Sequence, residues 1–335
     1  MTYKMLSKTD LPELIEKWEE QATVYVPLHQ GDFTQFRPWD SSAEIALDGA
    51  VNTRYPPKSL LLPQSEVMFR VRERTFESTE DEVSPRVVLG VRPCDVRALQ
   101  LLDTVFLTDK NEDPYWATKR SRTSIVALGC HAPCETCFCT TVGSGPFDSR
   151  GSDAVLTDLD GTYVVETRTE AGQALFASLP DASSEQIGRA QTTQAAAKNG
   201  MCAPFDPTGI KDKLYQLFDT AFWDEVQQSC LGCGICTFLC PTCYCFDIVD
   251  EAVRSERVRN WDTCMFRLYS QEASGHNPRP TNTERTRQRI MHKYAYWLEN
   301  TNEIGCTGCG RCVRYCPVNL DIRRIIRSAQ AREKE

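Results

Sequence analysis

Two cysteine runs with the same spacing constrain this chain more than any other feature of its sequence. One run spans residues 230–241, the other spans residues 306–317, and both read C-x2-C-x2-C-x3-C-P. This pattern is typical of bacterial [4Fe–4S] sites, in which the fourth cysteine of one run ligates the cluster of the other run. Zinc is the alternative metal, but its motifs rarely combine these spacings with a closing proline. The runs therefore predict two [4Fe–4S] clusters.

The exchange of the fourth cysteine divides the ligands between two clusters. Three closely spaced thiolates surround one cubane, and the fourth is directed to the cubane of the other run. The predicted ligands of cluster A are Cys230, Cys233, Cys236 and Cys316. The predicted ligands of cluster B are Cys306, Cys309, Cys312 and Cys240. Each cluster therefore depends on cysteines from both runs.

Composition and charge limit the class of protein to which the chain can belong. Its 335 residues predict two domains, and 41% hydrophobic with 25% charged residues indicate a globular protein. The net charge of −8 argues against nucleic-acid binding as the main task. No apolar segment approaches the roughly 18 residues of a membrane span, and the first residues show no signal peptide. Because the 17 cysteines suggest thiols kept reduced for metal, we expect a cytoplasmic protein.

The first part of the chain, residues 1–205, is predicted to form an α/β domain. Residues 86–91 and 124–128 are apolar and rich in β-branched side chains, which indicates buried strands. A helix predicted for residues 95–106, with Asp95 as its N-cap, separates the two strands. A strand–helix–strand unit of this length favours parallel pairing, and functional loops then gather at the carboxyl ends of the strands.

Five cysteines follow the carboxyl ends of these two strands. Cys94 follows the first strand, and residues 130–139 after the second strand contain the pattern C-x3-C-x2-C-x-C. Five thiols at strand ends are not typical of core packing. We therefore predict a third [4Fe–4S] cluster, cluster C, with zinc as the alternative occupant. Its predicted ligands are Cys94, Cys130, Cys137 and Cys139, with Cys134 as the alternative ligand.

Four further cysteines lie outside these sets. Cys243, Cys245 and Cys264 follow the first run, and the sequence leaves open whether they are structural or form an additional metal or redox site. Cys202 lies alone between the two predicted domains and is interpreted as a small buried hydrophobic residue.

Residues 206–335 are predicted to form an α-helical dicluster ferredoxin domain. In this prediction the cysteine runs stand at helix starts, and the long segment between them is a helical insertion. The helices are predicted at residues 208–228, 247–258, 261–272, 282–300 and 320–331. The helix at residues 282–300 is basic, and we expect its charged side chains to face solvent or an acidic partner.

Several segments outside the generic cysteine pattern carry a resemblance to a known family. They are GVRPCD at 90–95, CHAPCETCFCTTVGSGP at 130–146, CPTCYCFDIVDE at 240–251, WDTC at 261–264 and GHNPR at 275–279. Together with the two runs, these segments resemble the β subunits of cytoplasmic sulfhydrogenases. The A subunit of anaerobic sulfite reductase belongs to the same 4Fe-4S dicluster family. The resemblance implies a multisubunit complex with an FAD- and NAD(P)H-binding flavoprotein subunit and with catalytic subunits, either [NiFe] hydrogenase or sulfite reductase.

Catalytic motifs are missing from the sequence, which favours a role in passing electrons between subunits. There is no G-x-G-x-x-G dinucleotide fingerprint, no phosphate-binding loop and no adjacent pair of cysteines of the heterodisulfide reductase type. We therefore expect a non-catalytic iron–sulfur subunit, most consistent with a [NiFe] hydrogenase partner. The alternatives are a subunit of an anaerobic sulfite reductase or heterodisulfide-reductase-linked complex, and an α/β domain that itself binds flavin or substrate beside Cys94 and Cys130.

Overall fold

The computed structural model describes most of the chain, namely residues 2–47, 52–73, 75–79, 83–201 and 203–333. Cys202, interpreted above as a buried hydrophobic residue, lies outside these residues. None of the helices in the described ranges combines the length and the apolar character that a membrane crossing requires.

The described strands form a seven-stranded sheet and a four-stranded sheet. The large sheet has the order β1-β9-β8-β7-β6-β2-β3 and the small sheet has the order β10-β11-β4-β5, with the bounds that follow. The strands are β1 (Thr2–Ser7), β2 (Thr23–Gln30), β3 (Phe33–Pro38), β4 (Ser65–Arg72), β5 (Thr75–Ser78), β6 (Arg86–Val91), β7 (Thr123–Leu128), β8 (Ala154–Asp158), β9 (Thr162–Thr167), β10 (Phe246–Glu251) and β11 (Glu256–Trp261).

Helices cover both faces of the large sheet and surround the two cysteine runs. They are α1 (Leu11–Glu19), α2 (Pro93–Phe106), α3 (Pro114–Ser121), α4 (Glu170–Leu175), α5 (Ser184–Asn199), α6 (Ile210–Gln216), α7 (Phe222–Gln227), α8 (Ile235–Phe238), α9 (Asn282–Met291), α10 (Trp297–Thr301), α11 (Arg311–Arg314) and α12 (Ile322–Ala331). A π-helical turn, His292–Tyr296, joins α9 to α10.

Strands β2, β6, β7 and β8 form the parallel centre of the large sheet. The two buried strands predicted from the apolar runs are β6 and β7, and their parallel pairing is confirmed. The chain passes from β6 to β7 through α2 and α3, so the strand–helix–strand prediction is confirmed as well. The carboxyl ends of β6 and β7 consequently lie side by side.

Residues of β6 alternate between two hydrophobic cores, one on each face of the large sheet. Val87 and Leu89 pack in the core that contains α1, whereas Val88 and Val91 pack in the core that contains α2 and α3. The register with β7 shifts between Leu89 and Val91, which places both valines on the same face. Burial on both faces explains why these central strands are apolar throughout.

The prediction that Asp95 caps α2 is wrong. Arg92 occupies the N-cap position, and Asp95 lies inside the first turn with 1% of its surface exposed. Its two carboxylate oxygens accept hydrogen bonds from the guanidinium of Arg311, at 2.5 and 2.7 Å. Asp95 therefore connects the α/β domain to the second cysteine run instead of capping the N-terminus of its own helix.

The helices predicted at 247–258 and 261–272 are also wrong, and the all-helical description of the second domain is not confirmed. Strands β10 and β11 form an antiparallel hairpin in this region, followed only by a short 3-10 turn at Leu268–Ser270. Strand β11 pairs with β4, so the small sheet combines strands from both sides of the predicted boundary at residue 205. The helix predicted at 282–300 is confirmed as α9, the π-helical turn and α10, and the last predicted helix is confirmed as α12.

Candidate iron–sulfur centres

The two cysteine runs adopt the same local backbone. Each run contains two glycines in the left-handed region, with φ angles of 65° and 76° in the first run and 64° and 76° in the second (Gly232, Gly234, Gly308 and Gly310). Each first glycine donates its N–H to the sulfur of the cysteine two positions earlier, Cys230 or Cys306, at an N···S distance of 3.5 Å. The turns therefore point backbone donors at the thiols, as cluster ligation requires.

Cavity A lies at the first run and has a volume of about 530 Å³. Arg289, Met265 and Ile290 contribute to its walls beside the cysteines. Among its cysteines, Cys233 is exposed to solvent, so this cavity reaches the surface. The four cysteines predicted for cluster A all line it: Cys230, Cys233, Cys236 and Cys316.

Cavity B has a volume of about 310 Å³, and its cysteines are more buried than those of cavity A. Three of its cysteines are buried, and Lys293 reaches it from the π-helical turn. The Lys293 ammonium donates to the hydroxyl of Thr242 at 2.8 Å and to the carbonyl of Gly305 at 2.9 Å. The four cysteines predicted for cluster B all line it: Cys240, Cys306, Cys309 and Cys312.

Cavity C lies at the carboxyl ends of β6 and β7 and has a volume of about 320 Å³. Arg92, at the end of β6, also lines this cavity, and its guanidinium donates to the carbonyl of Gly129 at 2.8 Å. The four cysteines predicted for cluster C line it: Cys94, Cys130, Cys137 and Cys139. The structure therefore brings cysteines from two neighbouring strand ends to one place.

Cys134, the alternative ligand, is not part of the lining of cavity C. Its sulfur lies 2.9 Å from the sulfur of Cys137 and accepts a hydrogen bond from the guanidinium of Arg314 at 2.8 Å. Hydrogen bonds from Cys137, Thr136 and Arg314 lower the pKa of the Cys134 thiol. Cys134 therefore has polar partners of its own at the edge of the site.

The three cavities lie in a row, because neighbouring cavities share walls. Cys312 and Arg289 line both cavity A and cavity B. Cys309 lines both cavity B and cavity C. Cavities A and C have no lining residue in common within the described part of the chain. The order is therefore A, B, C, with B in the middle.

The loop after β7 packs directly on the second cysteine run. The N–H of Phe138 donates to the carbonyl of Gly308 at 2.8 Å, and the side-chain amide of Asn52 donates to the carbonyl of Cys309 at 2.8 Å. A Cβ atom on Gly308 would lie 2.5 Å from the backbone nitrogen of Cys139. Cavity C is therefore held against cavity B by backbone contacts.

This close approach predicts a large effect of a single methyl group. Gly308→Ala places a Cβ against the backbone at Cys139 and forces alanine into positive φ, so we expect about 1–3 kcal/mol of destabilisation from the φ angle alone. Gly232→Ala is the matched control, because its φ of 65° is nearly the same but its Cβ meets only the flexible side chain of Asn282, at 3.0 Å. Denaturant midpoints of the anaerobic protein measure both effects. Equal shifts for the two variants would contradict this interpretation.

Burial disfavours the thiolate form of three cysteines in cavities B and C. Burial raises the pKa of Cys309 to about 11, that of Cys312 to about 12 and that of Cys139 to about 12. Metal binding requires the thiolate, so it must release protons from these residues. Within the described residues, no three His, Cys, Asp or Glu side chains lie close enough together to hold one metal ion.

The cysteines that the sequence left undecided lie beside this row and not in the cavity walls. The backbone N–H of Cys243 donates to the carbonyl of Cys240 at 3.3 Å. Cys245 lies near Cys264 and Tyr269, whose hydrogen bonds lower the pKa of the Cys245 thiol to about 6. His131 accepts a hydrogen bond from the backbone N–H of Asp158 at 3.1 Å, which gives it a structural role.

Buried cations are the functional residues that the sequence analysis missed. We expected the basic helix to face solvent or a partner, but Arg285, Arg289 and Lys293 are buried, with 8%, 7% and 3% of their surfaces exposed. They recur every fourth residue and so share one helix face. This spacing of four residues is the feature of the sequence from which a buried basic helix face could have been predicted. Arg289 and Lys293 on this face line the cysteine cavities.

Comparisons with known proteins concern the segment that contains the two cysteine runs and the chain as a whole. Residues 229–320, which contain both cysteine runs, match the family model described as a 4Fe-4S dicluster domain. The chain is 30% identical over 337 residues to sulfhydrogenase 2 subunit beta from Pyrococcus furiosus, and the match covers 97% of this chain and 98% of that protein. No solved structure matches the chain significantly.

Proposed function

We propose, from the premise that this chain belongs to the family of sulfhydrogenase β subunits, that it relays electrons along a row of three [4Fe–4S] clusters. The resemblance inferred from its motifs is thereby confirmed. The dicluster match and the relative's name support an iron–sulfur electron-transfer subunit within a multisubunit, hydrogenase-type complex. The observation that carries the relay is the sharing of walls between neighbouring cavities, through Cys312 and Cys309.

The residues present fit the proposed clusters. Each cavity is lined by at least four cysteines and has mainly apolar walls, and turn glycines direct N–H groups at two of the sulfurs. A bound [4Fe–4S] cluster accepts and releases one electron at a time, with a potential set by charge, hydrogen bonds to sulfur and solvent exposure. We assign the ligands as predicted: Cys230, Cys233, Cys236 and Cys316 for A, Cys240, Cys306, Cys309 and Cys312 for B, and Cys94, Cys130, Cys137 and Cys139 for C.

The chain's own residues shape the two ends of the row. At the A end, exposed Cys233 leaves the site open to a partner surface, whereas B is enclosed by buried cysteines. At the C end, Arg92 and the carboxyl edge of the parallel strands form the boundary. We propose that an FAD- and NAD(P)H-binding flavoprotein subunit and a [NiFe] hydrogenase subunit pair exchange electrons with the two ends. Thiols that must remain reduced support the cytoplasmic location that we also propose.

The alternative functions gain less support. Nucleic-acid binding, which the net charge of −8 disfavours, gains no support from the basic helix, because three of its basic side chains are buried. A catalytic α/β domain would place flavin or substrate beside Cys94 and Cys130, but these cysteines line cavity C together with three more. Copurification of the native complex tests the identity of the catalytic partner. Nickel in that complex supports the hydrogenase, whereas a sirohaem spectrum would replace it with sulfite reductase.

Iron analysis tests the number of clusters. Three cubanes predict about 12 irons per anaerobically purified chain, because each holds four. Cys94→Ala should lower this content by roughly one to four irons, whereas Cys134→Ala, outside the cavity lining, should leave it unchanged. About eight irons in the unchanged protein would remove cluster C from the proposal, and fewer than about eight would overturn the two-cubane assignment itself.

A further inference from the structure

We infer that Arg289 is a shared electrostatic control of clusters A and B, which raises both reduction potentials together, and that Lys293 adds to this effect at cluster B alone. The inference rests on the proposed function, because it concerns the potentials of the clusters proposed for cavities A and B. It concerns residues that bind no iron and lie outside both cysteine runs. Its basis is the position of two buried cations relative to the two cavities.

Arg289 lies where the walls of cavities A and B meet. It projects from α9, is 7% exposed and lines both cavities. Its Nη2 donates to the carbonyl of Cys236 at 3.2 Å. Its Nε is buried and finds no hydrogen-bond partner within the described residues, and no ion pair of those residues includes it. The positive charge is therefore held between the two sites without a carboxylate to cancel it.

Lys293 lies one helical turn further along and lines cavity B but not cavity A. Lys293 is 3% exposed, and its ammonium group donates hydrogen bonds to the oxygens of Thr242 and Gly305, which are both neutral groups. None of the described residues that line cavity B is acidic. Cavity B is thus bordered by two cations and cavity A by one.

The sign of the effect follows from electrostatics. Reduction adds one negative charge to a cluster, and a nearby buried positive charge stabilises that charge because the surroundings screen it weakly. An arginine keeps its charge under all ordinary conditions, so the stabilisation does not depend on pH. Because Arg289 borders both sites, it shifts both potentials in the same direction. Lys293, which borders cavity B alone, raises the potential of B relative to that of A.

Redox titration of the full chain with its clusters assembled, followed by EPR, tests the inference. In Arg289→Gln, the potentials of A and B should both fall. At the midpoint potential of the unchanged protein, the ratio of reduced to oxidised cluster should drop at least tenfold, which corresponds to about 59 mV for one electron. In Lys293→Gln, only the potential of B should fall. Cys316→Ala lacks a proposed ligand of A, and Cys94→Ala lacks a proposed ligand of C. The signal that remains unchanged in both variants is assigned to B.

Two further variants separate charge from structure. Arg289→Lys keeps the charge and should restore both potentials towards those of the unchanged protein, whereas Arg289→Met keeps much of the side-chain volume and should reproduce the shift of Arg289→Gln. Arg287→Gln is the matched control on the same helix, because Arg287 lines neither cavity and instead donates to the carbonyl of Phe218 at 2.6 Å. Its potentials should not change.

The outcomes distinguish this inference from the proposed function. If the unchanged protein holds fewer than about eight irons, the clusters themselves are not as proposed. If the clusters are complete but the potentials of A and B stay the same in both Arg289→Gln and Arg289→Met, the inference about Arg289 is overturned. A fall at only one cluster in these variants would contradict the shared role, and a fall at A in Lys293→Gln would contradict the selectivity assigned to Lys293.

Discussion

Cys240→Ala should damage cluster B and spare cluster A, although Cys240 belongs to the run that contains three of the proposed ligands of cluster A. The reason is geometric, because Cys240 lines cavity B, whereas Cys316 completes the lining of cavity A. A cubane held by three thiolates loses iron, so we expect a loss of roughly one to four irons per chain. Iron analysis and EPR of the reduced, anaerobically prepared protein measure the loss.

Double variants identify which cluster has been damaged. Cys240→Ala combined with Cys306→Ala removes two ligands of one cluster, so its iron loss should not exceed the four irons of one cubane. Cys240→Ala combined with Cys230→Ala affects two clusters, and its loss should be the sum of the two single losses. Cys243→Ala is the control, because Cys243 lies three residues away but outside the cavity lining. The reverse pattern in the two double variants would show that the fourth cysteines are not exchanged.

The parts of the fold that were predicted correctly are those specified by local pattern. Strands β6 and β7 are uniformly apolar because helices cover both faces of the large sheet, and the sequence shows this directly. The cysteine runs likewise carry their turn glycines with them. In both cases the residues that determine the structure are neighbours in the chain, so no distant contact had to be known.

The hairpin of β10 and β11 was missed because its partner is distant in sequence. Residues 246–261 mix charged and β-branched side chains, a composition that suits an exposed helix as well as a strand. The pairing of β11 with β4, in which Val258 lies opposite Val67, favours the strand over the helix. Tertiary pairing of this kind overrides local propensity, and it cannot be read from the segment itself.

The composition of the candidate sites followed from spacing, but their electrostatics did not. Spacing grouped the twelve cysteines that line the three cavities. It gave no sign that Cys134, which is not in the lining of cavity C, is hydrogen-bonded by Arg314, 180 positions later in the chain. The burial of Arg289 and Lys293 was also missed, because basic side chains usually face solvent. Here they face cysteines, whose thiolates are the negative partners that make such burial tolerable.

Asp95→Asn should destabilise the protein by about 3–5 kcal/mol, because it leaves the charge of Arg311 buried without a partner. The side chains of Asp95 and Arg311 are 1% and 0% exposed, and two hydrogen bonds join them. Asp95 follows Cys94 directly, and Arg311 lies between Cys309 and Cys312. This ion pair therefore joins a proposed ligand of cluster C to the run that supplies cluster B, and the variant should also weaken the retention of iron at C.

A double variant can distinguish the effect of an uncompensated charge from that of a simple loss of packing. Replacing both partners with apolar residues is often neutral, whereas removing one partner leaves an uncompensated charge. The double variant Asp95→Leu with Arg311→Met should therefore be more stable than either single variant, as measured by denaturant midpoints under anaerobic conditions. Glu13→Gln is the control, since it breaks the exposed pair with Lys17 and should not move the midpoint. Additive destabilisation in the double variant would show that packing, and not charge, holds the two sites together.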